Sequence, residues 1–201
     1  MTTAGLLLTG GQSRRLGQDK ASLSLIDGGP TLAQSIGQIL ASVCRPCLEL
    51  GPGRSQLPHL ADRLPGAGPL AAVAGGWSHL RDQGFRGPAL VVATDLPGFS
   101  SALAQLLSSH PSPRSVVPLF EGRPQPLCAR FCPEDLDLAV SLYEDGQRSM
   151  SALLGRMSYL VLPAEGWTEL TGDPLALADL DTPEDLARLR GAHPPSHRSC
   201  R

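Results

Sequence analysis

Apolar residues along the 201-residue chain fall into short blocks, some spaced like a buried strand and others like a half-buried helix. Ala4–Leu8 is an apolar run stopped by Gly10-Gly11, the pattern of a strand covered on both faces. From Thr31 to Ser42, with Val43 just beyond, the spacing of Leu32, Ile36, Ile39 and Leu40 predicts a helix. Cys47–Leu50 reads as a second strand, ended by Gly51-Pro52-Gly53. Leu70–Leu80 reads as a helix and Ala89–Ala93 as another buried strand. A helix over Ser100–Leu107 follows, with Ser100 as N-cap.

The second half is less regular. Ser115–Leu119 and Pro126–Phe131 predict two strands on either side of Glu121-Gly122-Arg123. Pro133–Tyr143 predicts a helix with Leu136, Val140 and Tyr143 facing inward; Ser149–Leu154 predicts a shorter helix and Tyr159–Leu162 a strand. Thr182-Pro183-Glu184-Asp185 opens a last helix, with Thr182 as cap, Pro183 at the first helical position and acids in the first turn. The alternation of strand and helix in the first half predicts an α/β fold: a three-layer sandwich whose mostly parallel sheet carries helices on both faces. No repeat or interior linker divides the chain, so residues 1–190 are expected to form one domain. Residues 191–201 carry two prolines and no apolar pattern, and are expected to be a disordered tail.

Composition removes several function classes. A hydrophobic fraction of 41% is that of a globular chain. A net charge of −2 exerts no general pull on nucleic acid, so any phosphate must be held by a local site. No apolar run approaches the ~20 residues of a membrane span, and Met1-Thr2-Thr3-Ala4 lacks a signal-peptide layout, so a cytoplasmic location is expected. Cys44-x-x-Cys47 and Cys128/Cys132 together do not match a zinc site, which would want tighter spacing in the second pair, and Cys44/Cys47 does not open a helix after a strand as a redox pair would. Reduced thiols are expected.

Ligands in open α/β sheets bind at the carboxyl ends of the strands. The two least ordinary segments, after Leu8 and after Ala93, lie at such ends. Gly10-Gly11 lets backbone N–H groups approach phosphate oxygens, while Arg14, Arg15 and Lys20 add positive charge within ten residues. Neither G-x-x-x-x-G-K-[ST] nor G-x-G-x-x-G fits this spacing. The plain alternative is a glycine turn with a solvated basic flank. Asp95, past the end of an apolar strand, is placed to hold Mg²⁺, with a turn-capping role before Pro97 as its alternative. His59, His79, His110, His193 and His197 are expected in loop or tail positions, away from the chemistry.

The segment Leu8-Thr9-Gly10-Gly11-Gln12-Ser13-Arg14-Arg15-Leu16-Gly17-Gln18-Asp19-Lys20 resembles L-x-G-G-x-S-x-R-[ML]-G-x-D-K, the signature of the molybdenum cofactor guanylyltransferases. These MobA-like proteins are nucleotidyltransferases with a GT-A-like, Rossmann-like fold. Further segments resemble the family in order: Asp62-Arg63-Leu64-Pro65-Gly66-Ala67-Gly68-Pro69-Leu70, Thr94-Asp95-Leu96-Pro97, Arg123-Pro124-Gln125-Pro126-Leu127 and Asp181-Thr182-Pro183-Glu184-Asp185-Leu186. The resemblance implies that Arg15, Lys20 and Asp95 are catalytic, with Asp95 on Mg²⁺. Leu8, Thr9, Gly10, Gly11, Ser13, Lys20, Asp62 and Asp95 would bind nucleotide. Arg123, Gln125, Pro126, Leu127 and Asp181 would lie on the acceptor side.

The implied reaction moves GMP from GTP to the terminal phosphate of molybdopterin, with or without its molybdenum. Implied partners extend to a molybdenum-insertion protein and to apo-molybdoenzymes or their chaperones. Molybdopterin cytidylyltransferases typically read Ala-Gly where this chain has Gly10-Gly11, and a methyl fewer leaves room beside a purine. A cytidylyltransferase, a sugar-phosphate nucleotidyltransferase and a non-catalytic nucleotide- or cofactor-binding adaptor stay open as alternatives. The chain departs from the family pattern at Thr9, where the family has Ala, and at Leu16, often Met. It departs again at Gly51, where some members carry a nucleotide-binding Asn, and at Asp181, which replaces Asn.

Overall fold

Ala4–Leu8 forms strand β1, and all five of its residues are buried. This matches its unbroken apolar run, because a strand covered on both faces has no side left for polar residues. A computed structural model describes residues 2–10, 20–26, 28–61, 66–180, 182 and 185. Along these, β1 is followed by α1 (Leu32–Val43), β2 (Cys47–Leu50), β3 (His59–Leu60), α2 (Pro69–Asp82), β4 (Ala89–Ala93) and α3 (Ser101–Ser108). Then come β5 (Val116–Phe120), β6 (Arg123–Pro124), β7 (Cys128–Phe131), α4 (Pro133–Glu144), α5 (Met150–Leu154), β8 (Leu160–Leu162) and α6 (Ala164–Thr171).

The sheet order is β3-β2-β1-β4-β7-β5-β6, with β8 joined to β5. Strands β3, β2, β1 and β4 run parallel, with α1 crossing from β1 to β2, a loop joining β2 to β3, and α2 crossing from β3 to β4. β7 is antiparallel to both β4 and β5, since it returns from the β5–β6 hairpin without a helical crossover. That hairpin turns at Glu121 and Gly122, with φ of 49° and 72°, the doubly positive geometry suited to a tight hairpin.

Period-two alternation divides the core between the two faces of the sheet. Ala4, Leu6, Leu8, Val91 and Phe131 pack with Leu70, Val73 and Trp77 of α2 and Leu136 and Ala139 of α4. Leu7, Leu90, Val92 and Cys128 pack on the opposite face with Ile36 and Leu40 of α1, Leu103 and Leu107 of α3 and Trp167 of α6. The result is the three-layer α/β sandwich expected. The Trp77 indole N–H donates to Asp137 at 2.6 Å, tying α2 to α4. Thr31, Ser100 and Ser149 each accept an N–H of their helix's first turn, and Thr31 completes a capping box with Gln34.

Several expectations need correction. In α4 the buried stripe is Leu136, Ala139 and Leu142, while Val140 and Tyr143 are only half-buried. Val140 packs partly against the core as expected, and both residues line a surface cavity beside it. His79 lies in the last turn of α2 and His59 opens β3, so neither is a loop residue. Three elements were not foreseen: β3 and β6, each two residues long, and α6, with an interior glycine and one buried residue, Trp167. Cys44, Cys47, Cys128 and Cys132 are free thiols. Burial pushes the Cys44 thiol up to about 12, helped by neighbouring Cys47 and opposed by Arg45.

Candidate functional site

Strand order reverses between β1 and β4: β1 leads through α1 to β2 on one side, and β4 lies on the other. Such a switch point opens a crevice at the carboxyl ends of the strands. Leu8 pairs with Ala93, and the Thr94 N–H donates to the Leu8 carbonyl at 3.2 Å. Ala93 N–H donates to the Leu127 carbonyl at 2.8 Å, which draws the start of β7 to the same edge. Gly10, Asp95 and Leu127 therefore leave adjacent strands on one rim. Gly10 is exposed and Asp95 half-buried, whereas the Leu8 side chain belongs to the core.

Lys20 begins a single 3-10 turn (Lys20–Ser22) and is half-buried. This turn is anchored by Leu23, which packs with Leu32 and Leu180. Leu180 also donates its N–H to the Asp95 carbonyl at 2.8 Å. One residue thus connects the Lys20 segment with the end of β4. Beyond it, Thr182 accepts the Asp185 N–H at 3.1 Å and Asp185 accepts the Thr182 N–H at 3.0 Å, a reciprocal cap of the kind expected for Thr182. The expected site residues Gly11, Ser13, Arg15, Asp62 and Asp181 lie outside the described residues.

On the expected acceptor side, Arg123 is exposed on β6 opposite Phe120. Gln125, Pro126 and Leu127 are half-buried in the link from β6 to β7. The Gln125 N–H donates to Pro118 at 2.9 Å, and its carbonyl accepts from Cys128 at 3.1 Å. Asp95 lies close enough to Cys128 to raise that thiol's pKa further, after the larger effect of burial. A cavity of about 360 Å³ opens between α2, α4 and the ends of β2 and β3, lined by Leu50, Leu60, Ala72, Gly75 and Tyr143 among others. Its lining includes neither Gly10 nor Asp95, so it is separate from the β1–β4 rim.

The sequence reading missed Glu49. It is fully buried in β2, yet its carboxylate accepts five hydrogen bonds. Oε1 accepts from Thr9 Oγ1 at 2.6 Å, Gly53 N–H at 2.8 Å and Arg54 N–H at 2.7 Å. Oε2 accepts from the Ser55 N–H at 2.7 Å and its hydroxyl at 2.6 Å. Burial alone would raise the pKa of this group, but the donors from Ser55, Thr9 and Arg54 outweigh it and hold the carboxyl below its ordinary value. The available signal was one acid inside a short apolar strand, followed by glycines and a serine that could supply donors.

Strand ends meeting at a topological switch point, on a mixed sheet sandwiched by helices, define a Rossmann-like α/β sandwich with a ligand crevice at the carboxyl ends of its strands. The chain belongs to the family of proteins with a MobA-like NTP transferase domain, whose model matches residues 5–159. It is 36% identical over 158 residues to a "Probable molybdenum cofactor guanylyltransferase" of Mycobacterium tuberculosis, covering 75% of this chain and 78% of that one. A protein of the same name from Mycobacterium marinum is 31% identical over 201 residues, covering 96% of each. Among solved structures, molybdopterin-guanine dinucleotide biosynthesis protein A from Archaeoglobus fulgidus superposes with a TM-score of 0.78. It is 19% identical and covers 95% of this chain and 98% of that one, a likeness of fold. No helix among the described residues is long and apolar enough to cross a membrane.

Proposed function

We propose that this chain transfers GMP from GTP to the terminal phosphate of molybdopterin, giving the guanine dinucleotide form of the cofactor and pyrophosphate. The observation that carries the reading is the β1–β4 pairing, which sets the exposed Gly10 turn beside Asp95 at the switch point. The names of the mycobacterial relatives support the acceptor and the base. Gly10, with no methyl group to crowd a purine, supports GTP over CTP.

In this reaction an oxygen of the acceptor phosphate attacks the α-phosphorus of GTP. The new P–O bond forms as the bond to the β-phosphate oxygen breaks, and the electron pair leaves with pyrophosphate. A phosphate nucleophile is already ionised near neutral pH, so no side chain has to remove a proton. Gly10, exposed at the end of β1, and Gly11 after it would offer backbone N–H groups to the triphosphate, with Ser13 as a further donor. Lys20 and Arg15 offset charge that builds on the leaving oxygens. Asp62 would serve the base or ribose, and Arg123, Gln125, Pro126, Leu127 and Asp181 the acceptor.

Asp95 fits Mg²⁺ by its chemistry, a half-buried carboxylate at a strand end. No set of three His, Cys, Asp or Glu side chains converges among the described residues; Mg²⁺ is commonly held through one or two carboxylates plus phosphate and water. When bound, Mg²⁺ would supply positive charge at the triphosphate. The reading extends to a cytoplasmic enzyme that receives cofactor from a molybdenum-insertion protein and passes product to apo-molybdoenzymes or their chaperones.

The test supplies purified protein with Mg²⁺, molybdopterin and either GTP or CTP and follows pyrophosphate. GTP-dependent release that Lys20→Ala abolishes is expected. Preferential use of CTP would make the chain a cytidylyltransferase, and GTP binding without turnover would make it an adaptor.

A further inference from the structure

Thr9 and Gly51, two positions at which the chain departs from its family's pattern, meet in space around Glu49. The Thr9 hydroxyl donates to the buried Glu49 carboxylate at 2.6 Å. A Cβ on Gly51 would stand 2.2 Å from that same hydroxyl oxygen and 3.0 Å from the Gly10 nitrogen. Gly51 also has a φ of 152°, which side-chain-bearing residues rarely adopt. Residue 51 therefore has no room for a side chain while Thr9 holds its place. Backbone bonds reinforce the contact: Thr9 N–H donates to Leu50 at 3.1 Å, and Gly51 N–H to Leu60 at 3.0 Å.

The carboxylate also gathers the N–H groups of Gly53, Arg54 and Ser55. One buried anion thus joins two strand-end loops, and the residue it holds after β1, Thr9, immediately precedes Gly10. We propose that Glu49 is a positioning residue of the nucleotide site, fixing the backbone at Gly10 through Thr9 to the loop after β2. The same staple makes position 51 a glycine, so on this side the nucleotide is met by backbone rather than by a residue-51 side chain. This inference rests on the nucleotide site proposed above.

The arrangement argues for positioning rather than bulk stability. A side chain placed only to fill the core would be apolar, because burying a charge costs free energy unless every oxygen is partnered. Here each oxygen is partnered, and all five donors come from the two loops that frame the crevice. A turn that must present N–H groups to phosphate gains from being held in place before the ligand arrives.

The experiment measures GTP affinity by calorimetry, KM and kcat for GTP, and melting temperature in the wild type, Thr9→Val, Thr9→Ser and Glu49→Gln. Valine keeps the shape of threonine and removes the donor; serine keeps the donor. Thr9→Val should weaken GTP binding and raise its KM about tenfold, roughly the worth of one hydrogen bond to a charged group, with a smaller fall in kcat. Thr9→Ser should recover most of that loss, and Glu49→Gln should act in the same direction as Thr9→Val. Thr9→Val with wild-type GTP affinity and only a lowered melting temperature would overturn the inference alone. A wild type that binds no nucleotide would overturn the nucleotide-site reading and the inference with it.

Discussion

The two sides of the β1–β4 crevice are built on opposite plans. On the side of β1 and β2, a buried carboxylate collects donors from both loops, and Gly51 is packed so closely that a methyl group does not fit. On the side of β5 and β6, the hairpin projects Arg123 into solvent, and its neighbours Gln125, Pro126 and Leu127 are half-buried. It is tied by the β5–β6 pairing, by backbone bonds of Gln125 and Leu127, and by the Trp167 indole N–H on the Leu119 carbonyl at 3.0 Å. The difference matches the two ligands proposed. A triphosphate needs many backbone donors held at fixed spacing, whereas a large acceptor that arrives from another protein needs an accessible edge.

Breaking the crevice where the two sides meet should have the largest effect. Asp95→Asn should lower pyrophosphate release roughly 1,000-fold, about 4 kcal/mol of transition-state stabilisation. Nucleotide binding should survive in part, as calorimetry without acceptor can check. On the tight side, Gly51→Ala should destabilise the protein by about 1–3 kcal/mol through overpacking. In a Thr9→Ala background it should cost less, because the atom it strikes is gone. Denaturation of the four proteins in that cycle measures the coupling, and simple additivity would contradict the packing described.

On the open side, Arg123→Ala should raise the acceptor KM about tenfold, the worth of one charge-assisted hydrogen bond, with a smaller change in GTP KM. Equal effects on both substrates would erase the distinction between the sides. The smallest effect is one of pH. Because Glu49 titrates below the ordinary carboxylate value of 4.5 in the folded chain, its contribution to stability is present above that pH and is lost as pH falls through the folded value. Thermal melts between pH 6 and 3 should show less of this acid-dependent loss in Glu49→Gln than in the wild type.

Much of this frame is legible in the sequence, for physical reasons that differ from element to element. β1 and β4 are legible to the residue because doubly buried parallel strands are unbroken apolar runs with glycine or polar stops, and β2, despite Glu49 within it, is bounded by Gly51-Pro52-Gly53. Ser100, Thr31 and Ser149 mark helix starts because their hydroxyls satisfy first-turn N–H groups locally. β3 and β6 escaped notice because two residues carry no period, and their pairing is decided by neighbours distant in sequence. The inward face of α4 is only partly legible for a related reason: Val140 and Tyr143 are apolar enough to suggest a core face, but the space beside them is a cavity. At the site, the glycines and Asp95 stand out by residue type and by their position at strand ends. Glu49 does not, since its donors come from Thr9 and from residues 53–55, and only the fold brings these together.

The central claim, that the rim at Gly10 and Asp95 works on GTP with Lys20, is tested most directly by pyrophosphate release from purified protein with Mg²⁺ and molybdopterin. The account predicts steady GTP-dependent release, much slower with CTP, and loss of nearly all of it in Lys20→Ala. Release that is absent with GTP, or that Lys20→Ala leaves at the wild-type rate, would contradict it.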